Sequence, residues 1–282
     1  MPPKRKFDDN NDSDLTANET TSHENVGRLF ASAKNIMVIT GAGISTNAGI
    51  PDFRSKGGIY SQLGEYNLDS PEDMFHIDTF KSNPKPFYSF AKSLVSKTTW
   101  TPTRCHKFIK LLELKGKLLR NYTQNIDGLE KMSGISSSKV FQCHGSFASA
   151  SCTVCKFKTS FEGIRSNLES GVVMTCPKCY EKKDGIMKPD IVFFGENVAS
   201  KFDTLLLSDL KKVDFFVVIG SSLQISPVAK IIQQLPLKVP KLLVNKELLS
   251  PSISFDYCLQ GDCDDIVESI CKYLDWDLRI GE

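Results

Sequence analysis

Several classes of protein are excluded by what these 282 residues lack. No apolar run reaches the length of a membrane span, and no apolar stretch near the N-terminus has the form of a signal peptide, so an intracellular protein is expected. Charge of one sign is also missing. Thirty-five Lys and Arg stand against 33 Asp and Glu, a net +2, which gives no argument for direct nucleic-acid binding. There is no internal repeat and no long low-complexity segment. A Ser-His-Asp pattern and a G-x-S-x-G elbow are both absent, which disfavours a serine hydrolase. What remains is an ordinary globular composition, 40% hydrophobic and 24% charged, long enough for one large domain or two smaller ones.

Cysteine is plentiful, and its spacing carries information. Cys152 and Cys155 form one C-x-x-C pair, Cys176 and Cys179 another, with twenty residues between the pairs. Each pair lets two thiolates reach one metal from a tight turn, and two such turns complete a closed, structural four-thiolate zinc site. The alternative is two disulfides. It fits poorly with nine cysteines, an odd number, and with no secretory signal.

Residues 1–25 are polar, with Phe7 and Leu15 their only large apolar residues beyond Met1, and a disordered tail is expected there. The tail carries Pro3-Lys4-Arg5-Lys6, which reads either as a nuclear-import signal or as a solvated charged tail. Beyond it, strand and helix patterns alternate. Strands are expected at Ile36–Ile39, Leu118–Thr123, Val140–Cys143, Ile191–Phe194, Phe215–Ile219 and Lys241–Val244. Helices are expected over Arg104–Leu114, Leu205–Leu210 and Val228–Leu235. The pattern predicts an α/β fold with a Rossmann-like parallel sheet and right-handed crossovers.

The first strand runs into Gly41-Ala42-Gly43-Ile44-Ser45, which has the form of a phosphate-cradling turn, although Thr46 stands where a third glycine is usual. A tight strand-to-helix turn is the other reading. Asp52-Phe53-Arg54 follow on a Pro-bounded loop, and Gly57-Gly58 reads as a mobile lid. Gly220-Ser221-Ser222 and Asn245 follow two further strands, as a second half of a cofactor crevice or as polar turns. Gln124, Asn125 and Asp127 end a strand and could hold a ribose and a carboxamide; alternatively Asp127 caps a helix. Of the four histidines, His144 ends a strand and is placed as a general base, whereas His106 reads as a hydrogen-bonded core residue. His23 and His76 read as surface or loop residues.

Taken in order, GAGIS…GIPDFR, YTQNID, CHGSF, the two C-x-x-C pairs, KPDIVFFGE, GSSL and VNKE resemble the sirtuins, the NAD-dependent protein deacylases, over residues 26–282. The lid Ser55–Tyr60, the segment His144–Cys152 and Gly261-Asp262-Cys263-Asp264 are most similar to the nuclear silent-information-regulator subgroup. The resemblance implies a catalytic domain over 26–282, with a zinc module at about 148–189 and a cofactor-loop and helical insert at about 51–95. It implies NAD as co-substrate and one structural zinc. In the implied reaction the acetyl-lysine carbonyl oxygen displaces nicotinamide, and His144 activates a ribose hydroxyl, with Asn125 and Asp127 orienting the ribose and carboxamide. Contacts to NAD are implied for Gly41, Ala42, Gly43, Ser45, Asp52, Phe53, Arg54, Tyr60, Gln124, Ile126, Gly220, Ser221, Ser222, Asn245, Lys246, Glu247 and Cys263. The peptide would pair with Val192, Phe193, Phe194, Gly195 and Glu196, with the loop after Leu223 opposite.

Implied partners are acetylated lysine proteins, histone tails among them, with no direct nucleic-acid partner and no membrane. The implied location is the nucleus, with the cytoplasm as alternative. Relatives that prefer acidic acyl chains carry Tyr-x-x-Arg where this chain has Tyr88 and Ala91, which implies acetyl rather than succinyl removal. A mono-ADP-ribosyltransferase and a non-catalytic NAD sensor are the competing readings.

Overall fold

The computed structural model describes residues 23–52, 68, 70–95, 100–179, 185–198 and 201–279. In chain order its helices are α1 (His23–Ser32), α2 (Ile77–Ser82), α3 (Lys85–Val95), α4 (Arg104–Leu114), α5 (Leu129–Met132), α6 (Arg165–Ser170), α7 (Lys201–Leu210), α8 (Ile231–Gln234) and α9 (Cys263–Tyr273). Its strands are β1 (Ile36–Thr40), β2 (Leu118–Thr123), β3 (Val140–Gln142), β4 (Gly145–Cys152), β5 (Lys158–Ser160), β6 (Met187–Ile191), β7 (Phe215–Ile219), β8 (Lys241–Asn245) and β9 (Tyr257–Gln260). The polar segment gives way to helix at His23 rather than after residue 25, because Val26, Gly27 and Phe30 give α1 a buried face. The basic cluster Pro3–Lys6 lies outside the described residues.

Six strands form an all-parallel sheet in the order β3-β2-β1-β7-β8-β9. This is the doubly wound order of dinucleotide-binding sheets, and its direction of winding reverses between β1 and β7. Both of those strands are buried along their whole length, hence their continuous apolar runs. Alternation along them feeds two cores. Ile36, Val38, Phe215 and Val217 face Phe30, Phe108, Ile109 and Val267 from α1, α4 and α9. Met37, Ile39, Phe216 and Val218 face Phe202 and Leu206 of α7 and Ile231 of α8.

A second, antiparallel sheet, ordered β5-β4-β6, belongs to the smaller module and runs from Gly145 to Ile191. Its core is aromatic. Phe75 meets Phe90 edge-on at 5.1 Å, and Phe80 meets Phe193 likewise at 5.4 Å. Helices α3 and α6 pack on each other beside it. The strand expected at Ile191–Phe194 is displaced. The strand is β6, Met187–Ile191, and the chain beyond it turns at Gly195, which takes a φ of +87°.

Candidate functional site

The loops at the carboxyl ends of β1, β2, β7 and β8, with His144 after β3, open on one crevice of about 1310 Å³ at the point where the winding reverses. Open α/β sheets bind their ligands there. Gly41, Ala42, Gly43, Asp52, Gln124, Asn125, Ile126, His144, Gly220, Ser221, Ser222, Asn245, Lys246, Glu247 and Cys263 all line it, as do Val192, Phe193, Phe194, Gly195 and Glu196. Ser45, Asp127 and Leu223 do not; they stand behind its wall. Phe53, Arg54 and Tyr60 lie outside the described residues.

The two glycine turns are built against each other. The Gly43 amide donates to the Gly220 carbonyl at 2.9 Å, and a Cβ on Gly43 would stand 2.7 Å from the Gly220 Cα. Side chains are excluded at these positions by loop-on-loop contact, and the result is a bare backbone floor open to the crevice.

His144 is held by one hydrogen bond, from Nδ1 to the Gln124 carbonyl at 2.8 Å. A carbonyl only accepts, so Nδ1 carries the hydrogen and the neutral ring presents Nε2 as a lone pair. That Nε2 is buried and has no partner. Burial pushes the His144 pKa down, and the Gln124 carbonyl opposes this in part. The ring is therefore a neutral base at physiological pH.

Gln124 is itself fixed, its Oε1 accepting from the Ser221 hydroxyl. Asn125 Nδ2 donates to the Gly41 carbonyl at 3.1 Å and to Ser45 Oγ at 3.3 Å. Asp127 takes the capping reading and also braces Ser45. Its Oδ2 accepts from Ser45 Oγ at 2.7 Å, beneath Asn125, and its Oδ1 accepts from the Leu129 amide at the start of α5. On the far side, Cys263 opens α9, whose N-cap Asp262 accepts from the Asp264 and Asp265 amides and reaches Asn47 Nδ2 at 3.0 Å. Asn47 and Asp262 line the crevice too and went unread. Asp262 lies inside the quoted Gly261–Asp264 motif, so the signal was present.

Leu223 is a buried core residue with a φ of +48°, an uncommon conformation for leucine, and its amide donates to Ser221 Oγ. Tyr88 is also buried, its hydroxyl donating to the Met187 carbonyl at 2.6 Å, and neither it nor Ala91 lines the crevice.

His106, Asp127 and Glu130 bring their polar atoms within 4.8 Å of one another beneath the crevice. The Thr103 amide donates to His106 Nδ1, so the ring hydrogen sits on Nε2, facing a pair of carboxylates. A metal would need the lone pair that this tautomer does not offer. His106 Nε2 is buried and has no hydrogen-bond partner, so the ring packs beside the two carboxylates without a bond to either. Burial holds the His106 pKa down at about 4, and burial together with the Asp127 charge pushes Glu130 up to about 7.

The four cysteines Cys152, Cys155, Cys176 and Cys179 converge on one point. The Sγ atoms of Cys152 and Cys179 are 3.6 Å apart, as are those of Cys155 and Cys176. Disulfides are excluded at that separation. A tetrahedral zinc with Zn–S bonds of about 2.3 Å sets its sulfurs about 3.8 Å apart, so the cluster fits one structural zinc. Val154 and Cys155 amides donate to Cys152 Sγ, and the Lys178 amide donates to Cys176 Sγ, as suits thiolates.

Sheet order, crevice and thiolate cluster together define a nucleotide-binding α/β protein with a structural metal module. The Sir2 family model matches residues 41–227, and the chain belongs to that family. It is 46% identical over 261 residues to the NAD-dependent deacetylase sir2D of Dictyostelium discoideum, an alignment covering 92% of this chain and 47% of that protein. It is 45% identical to the NAD-dependent protein deacetylase sirtuin-1 of Rattus norvegicus, covering 97% and 47%, and 47% identical to the NAD-dependent histone deacetylase SIR2 of Candida albicans, covering 87% and 48%. The chain thus spans about half the length of these relatives.

Proposed function

We propose that the chain is an NAD-dependent protein-lysine deacetylase that acts on histones and other nuclear proteins, releases nicotinamide and O-acetyl-ADP-ribose, and serves chromatin silencing. The observation that carries this is the buried, unpaired Nε2 of His144 at the junction of the backbone floor and the Val192–Glu196 edge. Relatives named as deacetylases support the same reading.

When bound, NAD supplies an anomeric carbon with nicotinamide as a ready leaving group. The chain's own residues do the rest. Gly41, Gly43 and Gly220 keep side chains off the floor so that the phosphates and ribose can approach the backbone, and Asn245 with the start of α9 closes the adenine end. Asn125, braced by Ser45 and Asp127, orients the nicotinamide side. His144 accepts a proton from a ribose hydroxyl at Nε2, and the Gln124 carbonyl stabilises the imidazolium through Nδ1–H. Acetylated histone peptides incubated with labelled NAD should yield free lysine, nicotinamide and O-acetyl-ADP-ribose in equal amounts. A labelled ADP-ribosyl peptide in their place would overturn the reading. A nuclear location is proposed through Pro3–Lys6, and deletion of residues 2–6 should move a tagged protein to the cytoplasm.

A further inference from the structure

The segment proposed to receive the peptide is not a free strand. The Val192 amide donates to the His144 carbonyl at 2.9 Å, the Phe194 amide to the Phe75 carbonyl at 2.7 Å, and the Glu196 amide to the Phe193 carbonyl at 2.9 Å. The Ile77 amide in turn donates to the Phe194 carbonyl at 3.0 Å. Among the described residues, the Gly195 amide and the Val192, Gly195 and Glu196 carbonyls are what this edge offers to a second chain. Their direction depends on how the turn 189–196 is folded.

That turn is wrapped around a cation. Lys188 stands on β6 with only 10% of its side chain exposed. Its ammonium donates to the Pro189 carbonyl at 3.1 Å and to the Ile191 carbonyl at 2.6 Å, and it pairs with Glu196 Oε2 at 3.0 Å. Three acceptors use its three hydrogens. It also lies over the Phe193 ring, 4.4 Å from the centroid. Glu196 Oε2 accepts from the Phe193 amide at 2.9 Å as well, so one carboxylate joins the cation to the backbone of the edge. A lysine buried for stability alone would be a poor choice, since an apolar side chain of that size fills the same space with no desolvation cost. An ammonium is the group that gathers two carbonyls and a carboxylate into one turn. Within that turn the Ile191–Val192 peptide presents its carbonyl to the ammonium and its amide to the His144 carbonyl.

We propose that Lys188, acting through Glu196, is a positioning residue for the substrate peptide: it sets the direction of the Val192 and Gly195 backbone groups relative to His144. This rests on the reading that the edge receives an acetylated peptide. Glu196, expected in the sequence to touch substrate, serves here as the inward fastener of the edge.

The test uses the full chain with its zinc and compares wild type with Lys188→Met, Lys188→Arg and Glu196→Ala. Peptide binding is read by fluorescence anisotropy of a labelled acetyl-lysine peptide, and KM for peptide and for NAD separately from turnover. A misplacement of about 1 Å can cost about 10²-fold, so kcat/KM for peptide should fall about 10- to 100-fold in Lys188→Met and Glu196→Ala. KM for NAD and zinc content should stay within about twofold, and Lys188→Arg should recover most of the loss, since it keeps the cation. Glu196 is part-exposed, so its truncation opens no core cavity and remains informative if Lys188→Met does not fold. Peptide binding and kcat/KM unchanged in Glu196→Ala would overturn the proposal, as would parallel loss for peptide and NAD. If wild type itself binds no acetylated peptide, the underlying functional reading fails, a result distinct from wild-type binding that the variants leave intact.

Discussion

Two buried histidines divide the labour of this site by tautomer. His144 donates from Nδ1 to a carbonyl and keeps a lone pair at Nε2; His106 accepts at Nδ1 from an amide and keeps its hydrogen at Nε2. The first presents its lone pair to the crevice, and the second is a core ring beside Asp127 and Glu130. His144→Ala should leave NAD binding near wild type while turnover falls about 10²–10⁴-fold, the usual cost of a lost base. Because burial lowers its pKa, the acid limb of kcat/KM against pH should lie below 6.5, the ordinary histidine value. Retention of half the wild-type rate in the variant would exclude the assigned role. Glu130 gives a second residue-scale expectation. Its carboxyl is raised from 4.5 to about 7, so the folded state holds a proton that the unfolded state has released. Stability contributed by that proton is present below 4.5 and is lost as pH rises through about 7. Glu130→Gln should flatten this fall, measured as urea midpoints from pH 5 to 8. His144 was legible because a histidine directly following a strand is a simple pattern. Glu130 was not, since its environment is assembled from β1, β2 and α4, which lie far apart in the chain.

At the scale of elements, legibility followed burial. β1 and β7 are buried on both faces, and their unbroken apolar runs announce them. β4 reads Gly-Ser-Phe-Ala-Ser-Ala-Ser-Cys, and its small residues carry no clear period, so it emerges only through pairing with β5 and β6. The C-x-x-C spacing located the metal turns without that sheet. It did not reveal Gly185, whose carbonyl accepts from the Cys176 amide and where a Cβ would stand 2.6 Å from both Cys152 Sγ and Cys179 Sγ. Gly185→Ala should therefore lower zinc retention against a chelator and reduce the melting temperature, because metal binding here is coupled to folding. Cys176→Ala should release the metal outright. Full zinc occupancy by elemental analysis in Cys176→Ala would remove that residue from the ligand set.

For the whole molecule, the consequential fact is that the crevice has two owners. Its floor, proposed for the nucleotide, comes from loops after β1, β7 and β8 of the parallel sheet, whereas the edge proposed for the peptide hangs from β6 of the zinc module. The two meet where Val192 donates to His144. Ligand binding to the folded state raises stability by mass action, about 2.7 kcal/mol at about 100 times Kd. For a chain of this size that is a rise in melting temperature of roughly 5 °C. Zinc removal should loosen β4 and β6 and so abolish peptide binding, yet leave the floor of Gly41, Gly43 and Gly220 in place. Thermal melts with and without NAD, before and after chelation, separate the two owners. The expected result is that the NAD-induced rise survives in the sheet domain while acetyl-peptide binding is lost. Disappearance of both together would show instead that sheet and module fold as one cooperative unit, with the metal supporting the nucleotide floor as well as the peptide edge.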